Sequence, residues 1–421
     1  MDLEGKDNEG MHLLYFVQYF PPEKASGLPI VMDMIEGFAE HGWDIDVYVP
    51  TPTRGITKET RKEYAKKRKE VFCNGKLTIH RMHLYRERTN MLQRTIRYSL
   101  FSLQCLIRGL FVPADAIFTG GGPPTQGITG AIIHKWTRKK FIYNPQDLFP
   151  DSLIISGKAL EQSIVVRIGR AMERFSYQNA DVIITITEDM AESIRMKTKE
   201  TSKVHVVRNW IDTEETVCVE RKKNRLFDEL NLSRNLFYVV YAGNIGLLQD
   251  LDTVINAADF LKQEQGIEFV IFGNGSEEEH IKNLIIERNL CNVKMFPLQP
   301  LERVSEVYSL GNISIVSCKK GTGNVGMPSK TWTIMATGTP IIGSFDIESE
   351  LNKTIQAADC GISIEAGNPK LLASTIQWCY KNPAEVERMG KNARQYAEQN
   401  ISKQVSVGQY IEFIENVVKG D

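Results

Sequence analysis

Four glycine-rich turns follow short apolar runs in this sequence, and such turns are suited to holding a phosphate. They are Gly120-Gly121-Gly122-Pro123-Pro124, Gly243-Asn244-Ile245-Gly246, Gly273-Asn274-Gly275 and Gly321-Thr322-Gly323-Asn324-Val325-Gly326. Glycine lets backbone N–H groups come close to a ligand, and free N–H groups bind anions. Gly27 follows the first apolar run in the same way. Turns of this kind in both halves of the chain indicate a phosphate-bearing ligand held between two domains.

The turn at 321–326 is open to three interpretations. It matches the dinucleotide fingerprint G-x-G-x-x-G, and Asp346 stands 20 residues past its last glycine. The context fits poorly, because Pro328 restricts the residue before it where that fingerprint would already continue as a helix. A flexible loop is the second interpretation. We favour the third, in which a helix starting near Ser329-Lys330-Thr331 directs free N–H groups and a lysine at a diphosphate.

Asp147 is the candidate acid of the first half. It lies in the segment 143–151, which follows an apolar run and ends in a proline-marked turn. A carboxylate there could orient an acceptor hydroxyl or stabilise positive charge that develops on a sugar. A helix-capping acid is an equally open interpretation.

Metal chemistry lacks support in the sequence. Asp44-Ile45-Asp46 has the D-x-D form of a metal motif, but it opens a predicted strand and so points away from the functional edge. The seven histidines show no ligand spacing, and the seven cysteines contain no C-x-x-C pair. We therefore expect no metal, and reduced thiols in a cytoplasmic protein.

The elements that must position these residues alternate along the whole chain. Runs rich in Val, Ile, Phe and Tyr predict strands at 13–20, 44–50, 76–83, 114–120, 139–145, 181–187, 203–209, 237–243, 268–273, 292–297, 313–318, 340–344 and 361–365. Helix-length segments separate them, which predicts parallel sheets covered on both faces. The polar stretch 214–235 divides them into two Rossmann-like α/β domains, 11–210 and 235–400, facing each other across a cleft. An amphipathic helix at 402–419 could cross back to the first domain.

Composition excludes several classes of protein. The chain has 421 residues, of which 42% are hydrophobic and 24% charged, so disorder is excluded. Its 51 Lys and Arg balance 52 Asp and Glu, which argues against nucleic-acid binding. The longest uncharged apolar run, 98–107, is far shorter than the ~20 residues of a membrane span. We expect a soluble or peripheral protein.

Basic residues concentrate in two stretches of the first half. They include Lys62, Lys66, Lys67, Arg68 and Lys69 in 54–69, and Arg94 and Arg97 in 86–111. One interpretation is a solvated charged helix followed by a core helix. The other is a surface that docks on anionic lipid headgroups, where each basic residue adds about 1 kcal/mol.

Six motifs in order resemble the retaining nucleotide-sugar glycosyltransferases of family four, which have the GT-B fold. They are Tyr19-Phe20-Pro21-Pro22 with Gly27, Phe38-Ala39-Glu40-His41-Gly42-Trp43, Asp147-Leu148-Phe149-Pro150-Asp151, Asn209-Trp210-Ile211-Asp212, Met335-Ala336-Thr337-Gly338-Thr339-Pro340 and Met389-Gly390-Lys391-Asn392-Ala393-Arg394. Gly243-Asn244-x-Gly246 with Pro328-Ser329-Lys330 resembles a branch that assembles exopolysaccharide, capsule and O-antigen, including N-acetylfucosamine transferases.

The sequence also departs from the family pattern. The resemblance places Asn244 and Gln249 where the family has an Arg and a Lys that grip the diphosphate. Val325 and Thr333 stand where the family has two glutamates that contact the donor sugar and ribose. These four replacements leave the donor sugar undefined.

The resemblance implies a metal-independent, retaining transfer of a sugar from a nucleoside diphosphate, with UDP favoured. Lys330 and Asp147 are the catalytic candidates. The donor-binding candidates are Gly27, Gly243, Asn244, Gly246, Gln249, Gly273, Gly275, Phe296, Leu298, Ser329, Thr331 and Thr333. The implied acceptor is a polyprenyl-diphosphate-linked saccharide at the inner face of the cytoplasmic membrane. An NAD(P)-dependent oxidoreductase, a catalytically silent GT-B scaffold and, more weakly, a GT-B epimerase remain alternatives.

Overall fold

The chain divides into two compact units. In a computed structural model, the structure describes residues 10–25, 27–87, 90–120, 124–155, 159–322 and 327–420. The first unit ends at Asn209 and takes in the chain again from Ser406, and the second runs from Trp210 to Val405. The predicted turn residues Gly121, Gly122, Gly323, Val325 and Gly326 lie outside the described residues.

The first unit is built on an eight-stranded sheet in the order β3-β4-β2-β1-β5-β6-β7-β8. Its strands are β1 (His12–Phe16), β2 (Asp44–Pro50), β3 (Lys69–Phe72), β4 (Leu77–Met82), β5 (Ala116–Gly120), β6 (Lys140–Asn144), β7 (Val182–Thr185) and β8 (Val204–Val206). Its helices are α1 (Leu28–Glu40), α2 (Lys58–Tyr64), α3 (Met91–Phe111), α4 (Thr125–Thr137), α5 (Asp151–Ile155), α6 (Ile164–Asn179) and α7 (Glu188–Lys197).

The second unit is built on a parallel six-stranded sheet in the order β11-β10-β9-β12-β13-β14. Its strands are β9 (Phe237–Asn244), β10 (Ile267–Asn274), β11 (Val293–Phe296), β12 (Ile313–Ser317), β13 (Ile341–Phe345) and β14 (Gly361–Glu365). Its helices are α8 (Leu226–Glu229), α9 (Leu251–Phe260), α10 (Glu278–Glu287), α11 (Val304–Leu310), α12 (Lys330–Ala336), α13 (Glu350–Ala358), α14 (Pro369–Lys381) and α15 (Pro383–Asn400). Apolar side chains are buried on both faces of this sheet.

The prediction of two α/β domains with Rossmann-like sheets is confirmed, and every predicted strand is present. Strand β3 was not predicted, and it pairs antiparallel to β4 at the sheet edge. The four residues of β3, KEVF, continue a run of Lys and Arg and do not alternate between apolar and polar side chains. Their sequence is therefore more typical of a charged helix than of a strand. The expectation of purely parallel sheets is therefore wrong at this edge.

Helix capping explains where several helices begin. The Ser163 hydroxyl accepts from the N–H of Val166 at the start of α6, and Thr187 does the same for Met190 at the start of α7. Asn368 caps α14, whose first residue is a proline. These side chains satisfy N–H groups that the helix itself leaves unpaired.

Two of the motifs quoted above contact each other in the second unit. Gly338 ends the turn after α12 with a φ of +67°, which glycine adopts without strain. A Cβ on Gly390 of α15 would lie 2.5 Å from the Gly338 carbonyl oxygen. Arg394 donates to the carbonyl oxygens of Ala336 at 2.6 Å and Thr216 at 2.7 Å. These residues fix α12 against α15.

The last helix, α16 (Lys403–Lys419), joins the first unit from Ser406 onward. Val407 packs against Gly37 of α1, where a Cβ would lie 2.6 Å from a Val407 methyl. The Asn144 side chain donates to the Tyr410 hydroxyl at 2.8 Å, at the end of β6. The described part of the chain contains no helix that is long and apolar enough to cross a membrane.

Asp46 of the D-x-D segment is held by two histidines. His12 of β1 and His80 of β4 reach its carboxylate at 3.0 and 2.6 Å. Burial opposes ionisation of Asp46, but these hydrogen bonds outweigh it and lower the pKa of the carboxyl. The hydrogen bond to Asp46 raises the pKa of His12. The residue thus ties three strands together, as expected of a structural role.

We expect Asp46→Asn to lower the free energy of unfolding by about 1–3 kcal/mol, as for other lost hydrogen bonds to charged groups. Because the His12 pKa is raised, its contribution is complete below its unfolded pKa, near 6.5, and is lost as the pH rises through the folded value. The loss in Asp46→Asn should therefore be larger at pH 6 than at pH 9 in urea titrations.

Asp44→Asn is the matched control. Asp44 lies on the same strand, but it is half exposed and its ion pair is with Lys76. Its replacement should cost less than ~1 kcal/mol, as for surface ion pairs. If Asp46→Asn loses as much free energy of unfolding at pH 9 as at pH 6, or more, the result would contradict a charged His12–Asp46 pair.

Candidate functional site

Three glycine-bearing turns meet at the carboxyl edge of the six-stranded sheet. Strand β9 lies between β10 and β12, and all three run parallel. Their carboxyl ends therefore share one edge, where ligands of open α/β sheets bind. The turns are those that follow Gly243, Gly273 and Ser317.

The turns after β9 and β10 pack so closely that side chains would not fit. Gly243 has a φ of +135°, in the region that favours glycine. A Cβ on Gly273 would lie 2.3 Å from the Gly243 carbonyl oxygen, and one on Gly275 would lie 2.2 Å from that of Ile245. The Ile245 N–H donates to the Asn274 carbonyl at 2.8 Å. The predicted glycines thus bring the backbones of the two turns into close contact.

Lys330 brings a positive charge to these turns. It is the first residue of α12, and its Nζ lies 3.9 Å from the centre of the Tyr241 ring, a cation–π distance. A Cβ on Gly243 would lie 3.0 Å from the same Nζ, so a side chain there would displace the ammonium. The Tyr241 hydroxyl donates to the Asn244 carbonyl at 2.5 Å, which fixes the ring.

The Lys330 ammonium has no carboxylate partner among the residues that the structure describes. Burial lowers its pKa to about 8, because charge is costly to keep away from water. A partly buried cation without a counter-ion is stabilised when an anion binds beside it. The arrangement can therefore recognise a phosphate group.

The two polar residues of the β9 turn bind each other. The Asn244 amide donates to Gln249 Oε1 at 3.0 Å, and Ser317 Oγ donates to the Gln249 carbonyl at 2.6 Å. The Lys319 N–H donates to the Leu248 carbonyl at 2.9 Å. The loop between β9 and α9 is therefore anchored to the end of β12, and Gly246 lies inside it.

Helix α12 begins at Lys330, close to the start that the sequence predicts. Ser329 precedes the helix and makes no side-chain cap. Thr331 is fully buried, and its hydroxyl has no hydrogen-bond partner in the described part of the chain. Asp346 accepts from the Gly321 N–H at 2.9 Å, so the acid of the dinucleotide fingerprint binds the loop's own backbone.

The other donor candidates surround this edge with less definition. Phe296 ends β11 and stacks on Phe272 with ring centres 5.6 Å apart. Leu298 is exposed in the following loop, and Thr333 is partly buried in the first turn of α12. The contacts of these three residues within the described part of the chain do not assign any of them a role in donor binding.

Gly27 and Asp147 belong to the first unit. Gly27 precedes α1, and the space around its Cα is open. Asp147 follows β6, is exposed, and has no hydrogen-bond partner among the described residues. It lies four residues before α5, so the helix-capping interpretation is wrong.

Sequence reasoning missed a polar cluster on the loops after β1, β2 and β4. The Glu87 carboxylate, 8% exposed, accepts from Arg54 at 2.8 Å and from the Tyr19 hydroxyl at 3.2 Å, and it lies 3.1 Å from Arg94 Nε. Tyr19 and Tyr98 share a hydrogen bond of 2.8 Å. Burial opposes ionisation of Glu87, but the arginines outweigh it and lower its pKa. Of its members, the sequence analysis had named Tyr19 in the opening motif and Arg94 as a docking candidate.

The predicted docking residues do not share one environment. Arg97 is fully buried and donates to the carbonyls of Tyr85 at 3.0 Å and Thr51 at 3.2 Å, so its assignment to a docking surface is wrong. Arg94 is paired with Glu87, and Lys67 with Glu63 at 2.8 Å. Four others are exposed: Lys62, Lys66, Arg68 and Lys69.

Comparison with known proteins identifies both units. A family model described as "Glycosyl transferase 4-like domain" matches residues 29–210, and one described as "Glycosyl transferases group 1" matches residues 222–396. WcaI of Escherichia coli K12, named for colanic acid biosynthesis as a glycosyl transferase, is 25% identical over 95% of this chain and 98% of its own. WbjE of Pseudomonas aeruginosa, named as a glycosyltransferase, is 23% identical over 70% and 73%.

The fold has solved counterparts. HepE of Anabaena, whose structure contains UDP and glucose, superposes with a TM-score of 0.67. The match is 13% identical and covers 96% of this chain and all of that one. The two-domain architecture is therefore that of the GT-B fold.

We expect amine-selective acylation of Lys330 to rise with pH around a midpoint near 8, the pKa that its burial produces. Lys320 is the control in the same loop, because its hydrogen bond to Glu365 raises its pKa above the ordinary value of a lysine. Mass spectrometry of labelled peptides across a pH series measures both. Parallel profiles for the two lysines would contradict the lowered pKa of a partly buried Lys330.

Proposed function

Because the chain belongs to the group 1 glycosyltransferases, which have the GT-B fold, we propose that it transfers a sugar from a nucleoside-diphosphate donor to a lipid-linked saccharide. UDP is the proposed nucleotide, and an N-acetylated amino sugar the proposed cargo. The acceptor carries a polyprenyl diphosphate, and the product enters bacterial surface polysaccharide. The observation that carries the proposal is the Lys330 ammonium beside the glycine-lined sheet edge; this ammonium has no carboxylate partner within the described ranges.

The chemistry of transfer asks for such a cation. As the bond between the anomeric carbon and the phosphate oxygen breaks, both electrons stay with the departing diphosphate. A protonated Lys330 and backbone N–H groups held by Gly243 and Ser329 stabilise that growing charge. Because these groups are fixed before the donor arrives, no metal is required. Asp147 would orient the acceptor hydroxyl, whose oxygen would bond to the anomeric carbon while its proton passes to the departing diphosphate, and the anomeric configuration would be retained.

The relatives support the choice of substrates. HepE binds UDP and glucose in its crystal structure, and the name of WcaI refers to colanic acid, a polysaccharide. Asn244 and Gln249 replace a cationic pair of the family, and they bind each other here. Lys330 is then the principal cation for the diphosphate. The oxidoreductase alternative is disfavoured, because Asp346 is engaged with the loop backbone.

UDP should raise the melting temperature of the wild-type protein, whereas NAD and NADP should not. Lys330→Met should weaken UDP binding about tenfold or more, since a hydrogen bond to a charged group contributes about 1.5–3 kcal/mol. Lys320→Met is the matched control, because Lys320 is exposed and paired with Glu365. Thermal-shift titrations measure all three proteins.

Other outcomes favour the alternatives. Stabilisation by NAD or NADP alone would replace the transferase with an oxidoreductase. UDP binding without transfer or hydrolysis of any UDP-sugar would favour the silent scaffold. Equal UDP affinity in Lys330→Met and Lys320→Met would remove Lys330 from the diphosphate site.

UDP affinity should also depend on pH in a defined direction. Binding needs protonated Lys330, whose pKa in the free protein is about 8, and the diphosphate raises that pKa. Affinity should be nearly constant below pH 8 and fall by up to about tenfold per unit above it. Lys330→Arg keeps its charge at all these values and should lose this dependence in calorimetric titrations at pH 7, 8 and 9.

A further inference from the structure

A row of large apolar side chains on α3 faces solvent. The row consists of Ile96, Leu100, Leu103, Ile107 and Phe111, which are 40–80% exposed. Spacings of three and four residues place them on one side of the helix, along about 22 Å of its length. Phe101 and Cys105 of the same helix are fully buried. Helix α3 is therefore apolar on two sides, and only one of them packs in the core.

A further exposed apolar side chain lies at the end of the neighbouring helix. Ser102 Oγ donates to Thr125 Oγ1 at 2.9 Å at the start of α4, and Lys139 Nζ donates to the Gly109 carbonyl at 2.6 Å just beyond its end. Helices α3 and α4 therefore run side by side in the same direction. Trp136, in the last turn of α4, is 79% exposed at the end where Phe111 lies. We call these six apolar residues the α3 face.

The charged side chains on α3 and α4 themselves are all basic. Neither α3 nor α4 contains an Asp or Glu. Arg108, Lys135 and Arg138 are exposed, and none has a carboxylate partner within the described ranges. The adjoining α6 has a single acid, Glu173, which is buried and paired with Lys197 at 3.0 Å.

We propose that the α3 face docks on the surface of an anionic lipid bilayer, with α3 lying in the plane of the membrane. An apolar row bordered by Arg and Lys, with a tryptophan at one end, is the composition of an interfacial helix. A second copy of this chain fits less well, because a two-fold contact would bring these unpaired cations together. The docking surface is thus α3 and α4, and the exposed cations at 62–69 are not required.

This proposal does not depend on the transferase activity, since membrane binding is measured without any substrate. Leu103→Glu with Ile107→Glu changes two half-exposed residues and should preserve the fold. Lys66→Glu with Lys69→Glu is the control, with two charge changes on the other basic stretch. Each protein is sedimented with vesicles of equal parts phosphatidylglycerol and phosphatidylcholine, and with vesicles of phosphatidylcholine alone.

We expect wild type and the lysine variant to bind the anionic vesicles, and the Leu103/Ile107 variant to bind at least about tenfold less, because each charge must enter the apolar interface. Phe111→Ser should reduce binding to an intermediate extent. Trp136 fluorescence should shift to shorter wavelength with anionic vesicles, and Trp136→Phe should remove that shift. All variants should keep the response to UDP, whose proposed site lies in the other unit.

Four results would overturn the proposal. Loss of binding in the lysine variant alone would place the docking surface at 62–69. Equal binding of both variants would exclude the α3 face. Equal binding to neutral and anionic vesicles would remove the role of the cations. A wild-type dimer that fails to bind vesicles and is dissociated by Leu103→Glu with Ile107→Glu would make the face an interface between copies.

Discussion

The second unit depends on one electrostatic constraint: a partly buried ammonium group that has no carboxylate partner among the described residues. Lys330 is kept there by the Tyr241 ring and by the absence of a side chain at Gly243. Tyr241 is fixed in turn by its bond to the β9 turn. A lysine, a tyrosine and a set of glycines look independent in the sequence. In the structure, the tyrosine and Gly243 both lie against the Lys330 ammonium. Its burial costs stability in the empty protein and favours a bound anion.

Three arginines of the first unit, in contrast, have partners inside the protein. Arg54 and Arg94 share the Glu87 carboxylate, and Arg97 is buried against backbone carbonyls. Glu23 accepts from the backbone N–H groups of Thr53 and Arg54, so the loop after β1 is joined to the loop after β2. These groups are paired before any ligand arrives. These paired groups hold the loops of the first unit in place, whereas the Lys330 ammonium favours the binding of an anion in the second unit.

The sequence predicted most of the fold because β-branched and aromatic runs of strand length stand out between helix-length segments. It failed at β3, where Lys69 continues a basic run and only four residues pair. It placed Lys330 at the start of a helix, because a proline and a serine mark the start of α12. It misplaced Arg97, since an arginine that donates to carbonyls inside the core has the same sequence context as one on the surface. The Glu87 cluster was missed because Tyr19 and Arg54 lie 68 and 33 residues from Glu87 along the chain.

The net charge of the chain also does not predict the charge of any one surface. The chain as a whole carries a formal charge of −1, yet α3 and α4 contain no acid, while α1 alone carries Asp33, Glu36 and Glu40. A balanced total therefore arises from separated charges. Because screening limits exposed charges to about 10 Å, a partner responds to the local face and not to the total. The exposed apolar row on α3 likewise differs from the average over the helix. The average hydropathy of α3 is modest because arginines interrupt its sequence, but the exposed apolar side chains lie together on one side of the helix.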